Sequence, residues 1–206
     1  MLLWISVVNI NHIQSQSKRM MLFDDYVEGK VILKNRQEVA TKLNYDTANK
    51  KMMYLQNGEQ MILINIAQVD SVYIDDRKFI SLYGFFLEVV ELKQGDIFID
   101  WTIKDRYKGN RGAYGQVTQN KVESINTAFW TNSEYQNQSV EVVERENSNS
   151  YWFYKDDKPL KCKNINDLIK IFPERRKDIL AFVKENGIDF KRVSDAVELL
   201  GYCLEF

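Results

Sequence analysis

Between residues 26 and 105 the chain never holds a helical hydrophobic period. Short runs alternate apolar and polar residues and are cut by turn residues every few positions. Val27, Val31 and Leu33 alternate with Glu28, Lys30 and Lys34, which gives a strand one dry and one wet face. Further strands are predicted over 38–45, 52–56, 61–66, 72–74, 79–82, 85–92 and 97–104. Asn57-Gly58 marks a two-residue hairpin, because both residues accept positive φ and so match the twist of the flanking strands. Asp75-Asp76-Arg77 and Gln94-Gly95-Asp96 mark two more turns. In the last strand Ile97, Ile99, Trp101 and Ile103 point one way. Phe98, Asp100, Thr102 and Lys104 make the wet face. Many short, closely spaced strands predict an antiparallel meander, as a rolled sheet, a barrel-like form or a sandwich.

From Arg106 to Ser150 the composition turns to Gly, Asn, Gln, Ser and Thr, predicting a long polar loop with short strands near 115–117 and 140–143. Tyr151 to Tyr154 returns to the sheet, with Asp156-Asp157 as its turn. After Asn164 the period becomes helical. Asn164 or Asn166 caps a helix carrying Leu168, Ile169 and Phe172. Pro173 opens a second helix, with Ile179, Leu180, Phe182 and Val183 on its apolar face and Gly187 at its end. Asp189 is expected to cap a third, with the stripe Val193, Ala196, Val197, Leu200 and Cys203. The fold class is therefore α+β. It divides into a β-rich domain over 18–160, containing the polar loop 106–150, and a helical segment over 161–206 packed on the sheet. Apolar residues at 45% supply enough material for that core.

The scarce residues exclude chemistries. His12 is the single histidine and lies in the opening segment; if that segment is removed the chain has no imidazole, which rules out Ser-His-Asp and Cys-His machinery and histidine-based zinc sites. Two cysteines, Cys162 and Cys203, cannot close a four-thiolate site; Cys203 falls on the apolar stripe of the third helix, so a buried free thiol is expected, with a bridge between the two as the alternative in an oxidising compartment. Neither a calcium loop nor a P-loop occurs, and nothing in the chain calls for a cofactor or a metal. Residues 1–17 begin with the apolar run Met1 to Val8 and end in Gln14-Ser15-Gln16-Ser17, a pattern expected of a signal peptide lacking its basic start. Cleavage there places the protein in the periplasm or outside the cell and removes His12. The competing reading is an ordinary first strand in a cytoplasmic chain. No run is long enough to cross a membrane as a helix.

Five basic residues against Asp105 alone lie between Lys104 and Lys121, interleaved with tyrosines. Arg106, Tyr107, Lys108, Arg111 and Tyr114 are the candidate ligand-binding residues, suited to an anionic sugar or a phosphate backbone. The net charge of −1 argues against nucleic acid as the partner. The segment's glycines match neither a dinucleotide fingerprint nor the setting of a KH loop. Asp75-Asp76, Asp100, Asp156-Asp157 and Glu88 with Glu91 are the acids from which glycoside chemistry would draw, but no spacing selects a pair as catalytic. Trp101, Trp130 and Trp152 are the candidates for stacking on sugar rings.

The segments Gly29-Lys30-Val31-Ile32-Leu33-Lys34-Asn35, Leu43-Asn44-Tyr45-Asp46 and Val69-Asp70-Ser71-Val72-Tyr73-Ile74 stand out. With Lys170-Ile171-Phe172-Pro173 and Ile188-Asp189-Phe190-Lys191, they resemble uncharacterised exported proteins of Bacteroidota-type bacteria over most of 25–206. That resemblance implies an envelope or secreted location and a sheet followed by helices, and it implies no activity. The expected function is that of a non-enzymatic binding or structural protein whose partner is an envelope component or a glycan. The alternative is a carboxylate-based polysaccharide hydrolase.

Overall fold

The computed structural model describes residues 20–111, 117–118 and 140–206. They fall into two compact units, residues 20–103 with 147–206, and residues 104–146.

The first unit carries ten strands: β1 (Val27–Leu33), β2 (Glu38–Asp46), β3 (Lys51–Gln56), β4 (Glu59–Ile62), β5 (Val69–Ile74), β6 (Arg77–Leu82), β7 (Phe85–Val90), β8 (Ile97–Asp100), β12 (Ser150–Lys155) and β13 (Lys158–Cys162). They form one antiparallel sheet in the order β13-β12-β8-β7-β6-β5-β1-β2-β3-β4. The body is thus the sheet-rich α+β meander that the alternation predicts. Tight turns set its register. Asn57 and Gly58 have φ of 53° and 83°, Tyr83 and Gly84 55° and 84°, Asp156 and Asp157 50° and 59°. Each pair sits between directly opposed strand residues, as a two-residue hairpin of this type requires.

The sheet curls on itself. Val31, Leu43, Tyr45, Met52, Val69, Val72, Ile74, Phe79 and Phe86 fill its inside as one buried cluster. Tyr45 Oη donates to the Phe86 carbonyl at 3.0 Å, tying β2 to β7 although β1, β5 and β6 lie between them in the sheet. Closure into a barrel does not follow, and the sheet stays open between β13 and β4. Both edges are of kinds that resist pairing: β13 carries Pro159 between Lys158 and Lys161, and β4 is four residues long.

Helices α1 (Ile165–Ile171), α2 (Arg176–Glu185) and α3 (Val193–Cys203) cover the other end of the same face. Leu168, Phe172, Ile179, Leu199 and Leu200 pack there with Ile97, Ile99, Tyr151 and Phe153. Asn164 caps α1 by accepting from the Asp167 N–H at 3.0 Å. Pro173 opens a 3₁₀ turn that leads into α2. Gly187, at φ 62°, ends α2, and the Ile188 N–H reaches back to the Val183 carbonyl at 3.0 Å. Two local expectations are corrected. Leu180 is exposed, because Ile179 takes the buried position of α2. Asp189 does not cap α3: the cap residue is Arg192, and Asp195 in the first turn accepts from the Asp189 N–H at 2.9 Å. Cys162 and Cys203 are free and buried.

The strand expected over 97–104 breaks at Trp101-Thr102, and its expected wet face is wrong at Phe98 and Asp100, both buried. The Trp101 carbonyl accepts from Lys50 rather than from a neighbouring strand, which ends the ladder there. Beyond the break, β9 (Ile103–Arg111) lies between β10 (Val117–Thr118) and β11 (Val140–Asn147) in a separate three-stranded sheet. Part of the stretch expected as a polar loop over 106–150 is therefore strand. Its alternating charges and Val140-Glu141-Val142-Val143 are what a small sheet needs, and polar composition does not distinguish that from a loop.

Candidate functional site

Of the residues singled out for binding, Arg106, Tyr107, Lys108 and Arg111 all lie on β9, the central strand of the small sheet, and Lys108 is half-buried. Arg111 is paired with Val117. Tyr114 and Trp130 lie outside the described residues. Two groups of polar side chains lie on opposite faces of β6, β7, β8 and β12.

The inner group is built on Arg77. Its Nε donates to Glu88 Oε1 at 2.8 Å, its Nη2 to Glu88 Oε2, and the Trp101 indole N–H donates to that same Oε2. Arg77 and Glu88 come from opposed strands and share a face, because Phe79 is directly opposite Glu88 and Arg77 is two residues earlier. The guanidinium carbon lies 4.9 Å from the Phe23 ring centre and 4.8 Å from that of Trp101. Phe23 is held by Asn44, whose Nδ2 donates to the carbonyls of Phe23 and Asp25 at 2.9 and 3.0 Å. Trp101 is thus anchored inside by its N–H and is not a surface ring.

The outer group begins at Asp100. Its Oδ1 accepts from Lys50 Nζ at 2.7 Å. Its Oδ2 accepts from Ser150 Oγ at 2.9 Å and from Lys161 Nζ at 3.4 Å. Lys50 sits in the β2–β3 turn at φ 57° and also donates to the Trp101 carbonyl and to Thr102 Oγ1. Burial pushes the Asp100 carboxyl up. The Lys50 hydrogen bond and charge, the Ser150 hydrogen bond and the Lys161 charge outweigh it and hold the group below the usual aspartate range.

Beside this cluster the outer face is aromatic. Leu87, Val89 and Phe98 are buried there, edged by Ile80, Leu82, Phe85 and Trp152. Tyr83, at the β6–β7 turn, lies over Trp152 with ring centres 5.3 Å apart, and Tyr154 meets Phe98 edge-on at 6.0 Å. Tyr83 and Tyr154 remain 56% and 46% exposed. Partial desolvation, and then the neighbouring Tyr154 phenol, raise the Tyr83 phenol above its usual range. Lys161 Nζ lies 4.5 Å from the Trp152 ring centre. Of these residues the sequence reading named Trp152 and Asp100 as candidates and missed Tyr83, Tyr154 and Lys161. The signal was present. In Tyr151-Trp152-Phe153-Tyr154 the strand period sends Tyr151 and Phe153 to the helices and Trp152 and Tyr154 to the opposite face.

Among the described residues no helix is long and apolar enough to cross a membrane, and no cluster of His, Cys, Asp and Glu is arranged to hold a metal ion. No family model, no curated protein and no solved structure matches this chain.

Proposed function

We propose that this is a non-enzymatic binding protein and that it engages its ligand on the outer face of β6, β7, β8 and β12. One observation carries the reading: Tyr83 and Tyr154, each about half exposed, stand together on a sheet face already packed with Trp152 and Phe98. Grouped exposed rings on a rigid sheet give contact area at little cost in side-chain entropy. The apolar opening run and the resemblance noted above support a place in the envelope or outside the cell.

Hydrolysis is the less well supported alternative. Glu88 and Asp100 are the acids buried nearest this region, and both are spent on structure. Glu88 accepts from Arg77 and Trp101, and Asp100 from Lys50, Ser150 and Lys161. An acid held ionised by two ammonium groups is poorly placed to protonate a leaving group.

A screen of immobilised glycans, peptides and envelope fractions is expected to yield a ligand that the Tyr83→Ala/Tyr154→Ala variant no longer binds. A screen without any ligand, or a ligand bound equally by that variant, would overturn the reading. Intact mass of the protein recovered from its native host tests the location. Loss of the first 15 or 17 residues is the expected result, and an uncut chain in the cytosol is the contrary one.

A further inference from the structure

We infer, building on the binding face just proposed, that the ligand is an acidic polysaccharide whose sugar rings carry carboxylates, with Lys161 taking the acid group. The charge count at the edge of the aromatic face points to this. Two ammonium groups, Lys50 and Lys161, share the single carboxylate of Asp100. Lys50 has three protons and three acceptors, namely Asp100 Oδ1, the Trp101 carbonyl and Thr102 Oγ1, so it has nothing left to offer. Among the described residues Lys161 makes one long hydrogen bond, to Asp100, and its side chain is 34% exposed. It keeps N–H donors for a ligand, and the cluster keeps one positive charge.

That charge is set against rings. Lys161 Nζ lies over Trp152, Trp152 lies against Tyr83, and Tyr83 neighbours Tyr154. A pyranose uronic acid offers the matching set on one ring: a C–H face to stack on tyrosine, hydroxyls for the phenols, and a carboxylate for the ammonium. A neutral sugar lacks the last of these and an acidic peptide lacks the first. The whole chain carries a net charge of −1, so general attraction to polyanions does not supply the selectivity.

The test uses hexagalacturonate, a neutral galactose oligomer of the same length, and polyglutamate, titrated into the full chain at low and high salt. Hexagalacturonate is expected to bind about ten-fold more tightly than the neutral oligomer, the size of one charge-assisted hydrogen bond, and to lose that margin in high salt. Lys161→Gln should level the two sugars, Lys161→Arg should keep the preference, and Tyr154→Ala should weaken both. Retention by the arginine variant separates loss of the charge from loss of the fold. Equal binding of the two sugars by the wild-type chain would overturn the acid selectivity and leave the aromatic face standing. Polyglutamate binding as tightly as hexagalacturonate would overturn the sugar assignment. Absence of any sugar binding would overturn the inference and the glycan form of the reading beneath it.

Discussion

The two faces of β6, β7, β8 and β12 come from the same strands and alternate residues, yet they treat polar groups in opposite ways. Inside, the Glu88 carboxylate is taken up by Arg77 and the Trp101 N–H, and the rings of Phe23 and Trp101 flank the guanidinium. Outside, the rings are left half in solvent and Lys161 keeps donors to spare. A buried charge must be fully paired because the interior offers it no water, so the inner group is the kind that holds a fold together. A surface group with unspent donors costs little and is the kind that meets a ligand. The period of two residues lets one set of strands do both jobs.

Breaking the inner face should have the largest effect. Glu88→Ala strands the Arg77 guanidinium and the Trp101 N–H in a part-buried site, and roughly 3–5 kcal/mol of unfolding free energy should be lost in urea titration. A variant that unfolds at the wild-type midpoint would show the inner group to be ornamental. Next comes Gly29→Ala in β1. A Cβ there would meet the Tyr73 carbonyl oxygen at 2.3 Å and Leu43 Cδ1 at 2.9 Å, so β1 could not lie as close to β5. Overpacking of this kind costs about 1–3 kcal/mol, read by the same titration.

A smaller effect probes Asp100, where the outer cluster meets the end of β8. Its folded carboxyl is depressed, so its ionised form stabilises the fold above the unfolded value of about 3.9, and that stability is lost as pH falls through the folded value. Stability of the wild-type chain should therefore fall more steeply below about pH 4 than that of Asp100→Asn, which lacks this contribution. Parallel acid limbs in the two proteins would mean that the Lys50 and Lys161 contacts do not couple to folding.

Much of the fold is legible in the chain because it rests on local rules. Asn57-Gly58 and Asp156-Asp157 specify their hairpins through positive φ, and Asn164 and Gly187 bound helices by satisfying end groups. Long-range pairings are not legible. Nothing near Lys50 in sequence indicates that its turn meets the end of β8, because curling of the sheet brings them together. For the same reason Asp100, which reads as a wet-face residue, is buried. The basic run at Lys104 to Arg111 is legible because its charges lie close together in the sequence. The outer face is not legible because Tyr83, Trp152 and Lys161 are assembled from two strands and a distant turn.

The smallest expected effect on stability is the sharpest test of the contrast between the faces. Tyr83 stands at the tip of a hairpin whose conformation is set by φ of 55° and 84° at Tyr83 and Gly84, and its ring rests on Trp152 from the solvent side. Removing a ring that is mostly in water exposes some of Trp152 and opens no buried cavity, and truncation also leaves the backbone at positive φ as it was. Tyr83→Ala should therefore unfold at the wild-type urea midpoint while losing affinity for whatever ligand the screen identifies. A shifted midpoint together with retained binding would reverse the assignment, making the outer aromatic face a part of the core and not a surface offered to a partner.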